Sequence, residues 1–136
     1  MREFRWPVRV YYEDTDSGGV VYYANYLRFM ERARTEWLRD LGFEQDALRA
    51  ELGILFAVRS ASLEFLSPAR FNDRLEVSVR VTEKRRASLA FDQAVYRAGE
   101  ADPLCTARVR LACLDAEGFR PRAIPPAILG EIVDVD

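Results

Sequence analysis

Apolar positions change period along the chain, and each change marks an element. Val8 and Val10 alternate with Arg9 and Tyr11, which predicts a strand with one buried face. Gly18-Gly19 then supplies the backbone freedom for a sharp turn, since glycine alone takes positive φ cheaply. After it Tyr26, Phe29, Met30, Ala33, Trp37, Leu38 and Leu41 recur at helical spacing. They predict an amphipathic helix over Tyr26–Leu41, with Arg28, Glu31, Arg32, Arg39 and Asp40 off its stripe. Arg32 and Glu36 form an expected supporting pair, and Gly42 an expected C-cap.

Glu44–Leu52 reads as a short second helix that ends at Gly53. From Ile54 the period becomes two. Ala57, Ala61, Leu63 and Phe65 are expected on one face of a strand ending near Ser67-Pro68. Leu75, Val77, Val79 and Val81 alternate with Glu76, Ser78, Arg80 and Thr82, the clearest half-buried strand. Arg85-Arg86 turns the chain into a strand carrying Leu89, Phe91, Gln93 and Val95, which runs out at Ala98-Gly99. A last strand spans about Leu104–Leu114, and Pro121, Pro125 and Pro126 bar another central one. Strand, long helix, short helix and four strands give an α+β fold, an antiparallel sheet with a helix on one face. No linker or repeat divides residues 1–136, so one domain is expected.

Composition narrows the chemistry. The net charge of −2 supplies no global field for nucleic acid, so an anionic ligand needs a local basic patch. Arg2, Glu3 and Arg5 interrupt the start, and no stretch reaches membrane-spanning length, so no membrane insertion and a cytoplasmic location are expected. Cys105 and Cys113 lie on one strand roughly 26 Å apart, in phase with Ala107, Val109 and Leu111. They read as small buried residues. Histidine is absent. That removes Ser-His-Asp and Cys-His catalysis and leaves carboxylates, tyrosines, backbone groups and water for acid–base work. Neither a metal nor a redox cofactor is expected.

Asp14 and Asp16 stand between the first strand and the helix N-terminus. Acids beside free backbone N–H groups suit the polarisation of a carbonyl. The plain alternative for Asp16 is a turn aspartate that bonds local N–H groups before glycine. A calcium loop is excluded, because its fifth position holds Gly18 and its twelfth Asn25. Asp14 reads as a group that stabilises the turn or supports the site from behind the reacting residue, and Ser17 as structural, with no histidine to activate it. Lys84-Arg85-Arg86 reads, unaided, as a solvated turn.

The run Y-Y-E-D-T-D-S-G-G-V-V-Y-Y-A-N-Y-L-R-F-M-E-R-A-R-T-E-W-L-R resembles the hotdog-fold acyl-CoA thioesterases, of the 4-hydroxybenzoyl-CoA and tol-pal-associated types. A looser likeness continues through Pro68-Ala69 and Glu83–Phe91. The resemblance implies a hotdog, its antiparallel sheet wrapped around one long central helix, assembled as a homo-oligomer (dimer or tetramer) with shared sites. It implies hydrolysis of an acyl-CoA substrate with Asp16 as nucleophile or general base. The Tyr23 backbone N–H would polarise the thioester carbonyl; a backbone donor survives the change from the histidine of the tol-pal-associated branch. Arg85, Arg86 and Ser88 would hold coenzyme A. The missing histidine separates the chain from the hotdog dehydratases. The rival expectation is a non-catalytic hotdog module that binds acyl-CoA or a protein partner. Asp16 discriminates, because a binder has no need of a carboxylate against the thioester carbon.

Overall fold

The computed structural model describes residues 3–133 and 135. Its strands are β1 (Phe4–Arg9), β2 (Ile54–Phe65), β3 (Arg74–Lys84), β4 (Ser88–Arg97) and β5 (Pro103–Asp115). The helices are α1 (Asn25–Asp40), α2 (Gln45–Leu52) and α3 (Pro126–Glu131), which starts on a proline as the first turn tolerates. The strands form one antiparallel sheet in the order β1-β3-β4-β5-β2. Alternation decides its faces. Leu75, Val77, Val79 and Val81 of β3, with Leu89, Phe91 and Val95 of β4, are all buried. On β5, Cys105, Ala107, Val109, Leu111 and Cys113 complete the same face, and both cysteines are free thiols.

Helix α1 lies across that face, as the apolar stripe requires. Phe29, Met30, Ala33 and Leu38 are buried, and Trp37 stands edge-on to Phe91 with ring centroids 5.1 Å apart. The helix begins one residue earlier than Tyr26 and its last helical residue is Asp40. Gly42 takes φ +102° just beyond the end, where a side chain would be strained. Arg32 and Glu36 form no ion pair among the described residues. Glu36 bonds Arg39 instead, and Arg32 lies over the Phe29 ring at 5.9 Å. This is the hotdog arrangement.

One face assignment on β2 changes. A bulge between Val58 and Ser60 inserts Arg59. Phe56, Val58, Ala61, Leu63 and Phe65 therefore oppose the inward residues of β5, whereas Ala57 pairs with Ala112 on the other face. The outer face is polar because its charges neutralise one another in rows. Asp92 bridges Arg80 and Arg108 at 3.3 and 3.2 Å, and Glu83 meets Arg110 at 2.9 Å. Two edges remain. Pro7 blunts β1, while β2 offers twelve residues with Val58–Ser62 exposed along its middle.

Candidate active site

The chain leaves β1 through Val10, whose N–H donates to the Asp73 carbonyl at 3.0 Å. A single 3-10 turn, Tyr12–Asp14, then buries Asp14. Its carboxylate accepts the Tyr11 N–H at 2.8 Å and the Asn25 amide at 2.9 Å. The Asp14 carbonyl also accepts the Tyr22 N–H at 2.8 Å. Asp14 thus ties the strand end to the first residue of α1, the turn-stabilising role its sequence position suggests. Asn25, buried as well, supplies the other half of that tie.

Asp16 stands on the hairpin held this way. Thr15 bridges Val21, Val20 bridges Arg70, and the Asp16 N–H donates to the Val20 carbonyl at 2.9 Å. The side chain is exposed, and Oδ1 accepts the Gly18 N–H at 2.8 Å. That is the local bond of a turn aspartate. Oδ2 takes no hydrogen bond among the described residues and stays open to an incoming group. The two glycines divide their work. Gly19 takes φ +79°, while Gly18 leaves room for the acid, since a Cβ there would lie 3.2 Å from Asp16 Oδ1.

Tyr23 and Ala24 form the turn into α1. No acceptor among the described residues takes their backbone N–H groups, and no side chain caps the helix. Free N–H groups at a helix start attract negative charge. The Tyr23 ring is exposed and meets Phe65 of β2 edge-on at 6.2 Å. Tyr26 and Phe65 lie 5.6 Å apart, so the aromatic residues carry the site to the β2 edge.

Sequence reasoning missed one support. The buried Tyr26 hydroxyl accepts the Ala69 N–H at 3.1 Å, and the Ala69 carbonyl accepts the Val21 N–H at 2.8 Å. Burial pushes the Tyr26 phenol above its ordinary pKa. A tyrosine inside an apolar helical stripe was the available signal, because its hydroxyl must find a partner.

Arg85, Arg86 and Ser88 cluster at the β3–β4 turn, where the Arg85 N–H donates to the Ser88 carbonyl at 2.9 Å. Arg85 touches Glu83 at 3.4 Å, and the side chains of both arginines are exposed. Lys84 is already engaged: its Nζ donates to the Leu129 and Ile132 carbonyls at 3.1 and 2.7 Å. Asp16 and this turn do not meet within the chain. The Asp16 hairpin packs by Arg70 and Asp73, before β3, and the arginines follow its far end. Ten residue steps of strand put them roughly 33 Å apart.

Residues 10–132 match the family model described as the thioesterase-like superfamily. A curated relative, acyl-CoA thioester hydrolase YbgC of Escherichia coli, is 50% identical over 128 residues, covering 94% of both chains. The crystal structure of a probable thioesterase from Bartonella henselae superposes with TM-score 0.86 at 34% identity, covering 91% of this chain and all of that one. A substituted 4-hydroxybenzoyl-CoA thioesterase, complexed with 4-hydroxybenzoyl-CoA, shares the fold at TM-score 0.88 and 24% identity. That match covers 98% of this chain and all of the other.

Proposed function

This chain belongs to the thioesterase-like superfamily, and from that premise we propose that it hydrolyses acyl-CoA thioesters to free acid and coenzyme A. The observation that carries the proposal is the Asp16 carboxylate, one oxygen fixed by Gly18 and the other open, on the hairpin that leads into the uncapped start of α1. The thioester carbonyl oxygen would sit on the Tyr23 backbone N–H, where charge develops in the tetrahedral state. Asp16 Oδ2 then works in one of two ways. As nucleophile it bonds to the carbonyl carbon and expels the thiolate, leaving a mixed anhydride that water cleaves. As general base it takes a proton from water, which attacks in its place. In a single turnover in heavy-oxygen water, attack on the aspartyl carbonyl of the anhydride puts the label in Asp16 and gives the product acid an aspartate oxygen, whereas the general-base route labels the product acid alone.

The second half of the site comes from a second copy. We place Arg85, Arg86 and Ser88 of one subunit on coenzyme A whose acyl group lies at Asp16 of the other. The long open edge of β2 supports this. Pairing two β2 strands antiparallel about their middle sets Ile54 opposite the partner's Phe65. Ile54 pairs with Asp115, and Ser88 with Ala112, near the arginine end of the sheet; Phe65 touches Tyr23 at the Asp16 end. The ends that are far apart in one chain become neighbours between two. Arginine's planar fork suits the phosphates there.

Residues 1–136 act in this reading as one domain in the cytoplasm, where two buried cysteines remain thiols. Among the described residues no helix is long and apolar enough to cross a membrane. The test is thiol release from short, medium, long and aromatic acyl-CoAs. Turnover of at least one class is expected. Tight binding of all classes without turnover would make the protein a binding module instead.

A further inference from the structure

Arg34 lies on the buried stripe of α1, four residues after Met30 and four before Leu38, and is only 8% exposed. Its Nη1 donates to Gln93 Oε1 at 2.9 Å. Gln93 is a neutral amide whose own nitrogen donates to the Met30 and Ser78 carbonyls at 3.1 and 3.2 Å. No other acceptor and no carboxylate pairs with Arg34 among the described residues. A guanidinium brings five N–H donors and a full charge, and burying it without a counter-charge is unfavourable. Burial lowers the Arg34 pKa, in keeping with that missing partner. The nearest acid, Glu31, is exposed and accepts the Thr35 hydroxyl at 2.5 Å.

Arg34 borders a cavity of about 150 Å³, whose apolar walls are Leu38, Phe56, Val58, Leu89 and Leu111. An apolar cavity of roughly that volume holds a six-atom ring. One buried cationic group among mainly apolar walls, with Glu31, Thr35 and Gln45 as the other polar members of the lining, suits a short chain ending in negative charge.

We propose that this cavity receives the far end of the substrate's acyl group, and that this end is a carboxylate: a short dicarboxylic acid thioester of the glutaryl class. The inference rests on the thioesterase reading and on its paired β2 edges. Within one chain Arg34 lies nine residues beyond Asn25, about 13 Å along the helix, beyond reach of a six-atom acyl group at Asp16. The paired edges bring it nearer, because Phe56 of the cavity then falls opposite the partner's Leu63, two residues before the Phe65 that meets Tyr23 at the Asp16 end. Glu31 also lines the cavity and opposes the incoming charge, but it is exposed, so water screens it more than the buried Arg34.

The test compares kcat/KM for glutaryl-CoA and 5-methylhexanoyl-CoA, in which an isopropyl group replaces the carboxylate. The parent should favour glutaryl-CoA at least tenfold. Arg34→Met should collapse that ratio, and Arg34→Lys should retain more of it. Glu31→Gln, which leaves Arg34 and its Gln93 bond in place, should raise it. Free glutarate should quench the fluorescence of Trp37, which borders the same cavity, in the parent but not in Arg34→Met. A parent that turns over 5-methylhexanoyl-CoA as well as glutaryl-CoA overturns the inference and leaves the thioesterase reading intact. A ratio indifferent to both Arg34→Met and Glu31→Gln does the same. Glutarate binding at Arg34 with no turnover of any acyl-CoA overturns the thioesterase reading while the anion site stands.

Discussion

Two adjacent glycines at the hairpin tip do different work, and substitution separates them. Gly18 is outside the left-handed region, so alanine is tolerated by its backbone, but its Cβ would meet Asp16 Oδ1 at 3.2 Å. Gly18→Ala should leave the melting temperature nearly unchanged and lower kcat about tenfold, since small displacements of a reacting group are costly. Gly19 takes φ +79°, and Gly19→Ala should instead destabilise the protein by about 1 kcal/mol. Equal effects of the two on melting and rate would mean that Gly18 has no special relation to the carboxylate. The place of Asp16 on a glycine turn was legible, because a D-x-D ahead of Gly18-Gly19 is a local pattern. Asp14's partner Asn25 and Tyr26's partner Ala69 were not, because those bonds link residues 11 and 43 positions apart.

At the scale of elements, helices and strands were readable wherever one face is buried, because burial writes a period of 3.6 or 2 into the chain. Failures came where the period breaks. Arg59 at the β2 bulge reversed the facing of Ala57, and Arg34 on the α1 stripe carries a charge that the apolar pattern passes over. The β3–β4 turn read as a solvated charge run, and its structure is compatible with that: both arginine side chains are exposed. Their proposed work is separable from turn structure. Arg85→Ala combined with Arg86→Ala should raise KM for acyl-CoA about tenfold or more with kcat little altered, because phosphate contacts bind ground and transition states alike. An acyl-N-acetylcysteamine, which lacks the nucleotide, should be turned over as by the parent. Equal losses on both substrates would make the arginines structural.

The whole molecule explains why its two proposed half-sites occupy opposite ends of one sheet. Nothing in a single chain's periodicity reveals a partner, and the open β2 edge became visible only once the strand order placed it outermost. Sedimentation at micromolar concentration should find a dimer or a tetramer. A fully active monomer would defeat the shared site. Catalysis by Asp16 on a substrate held by the other subunit predicts the outcome of single-turnover hydrolysis by Asp16→Asn. The amide keeps the size of the acid and loses its capacity to attack or to accept a proton. The rate should fall at least about 100-fold, some 2.7 kcal/mol of barrier, with the melting curve and acyl-CoA binding retained. With acyl-CoA well below KM, where the double arginine variant alone is also slow, mixing the two variants in equal amounts should restore roughly a quarter of parental activity, since half the dimers are hybrids with one intact site. A folded Asp16→Asn protein that hydrolyses within a few-fold of the parent would contradict the account.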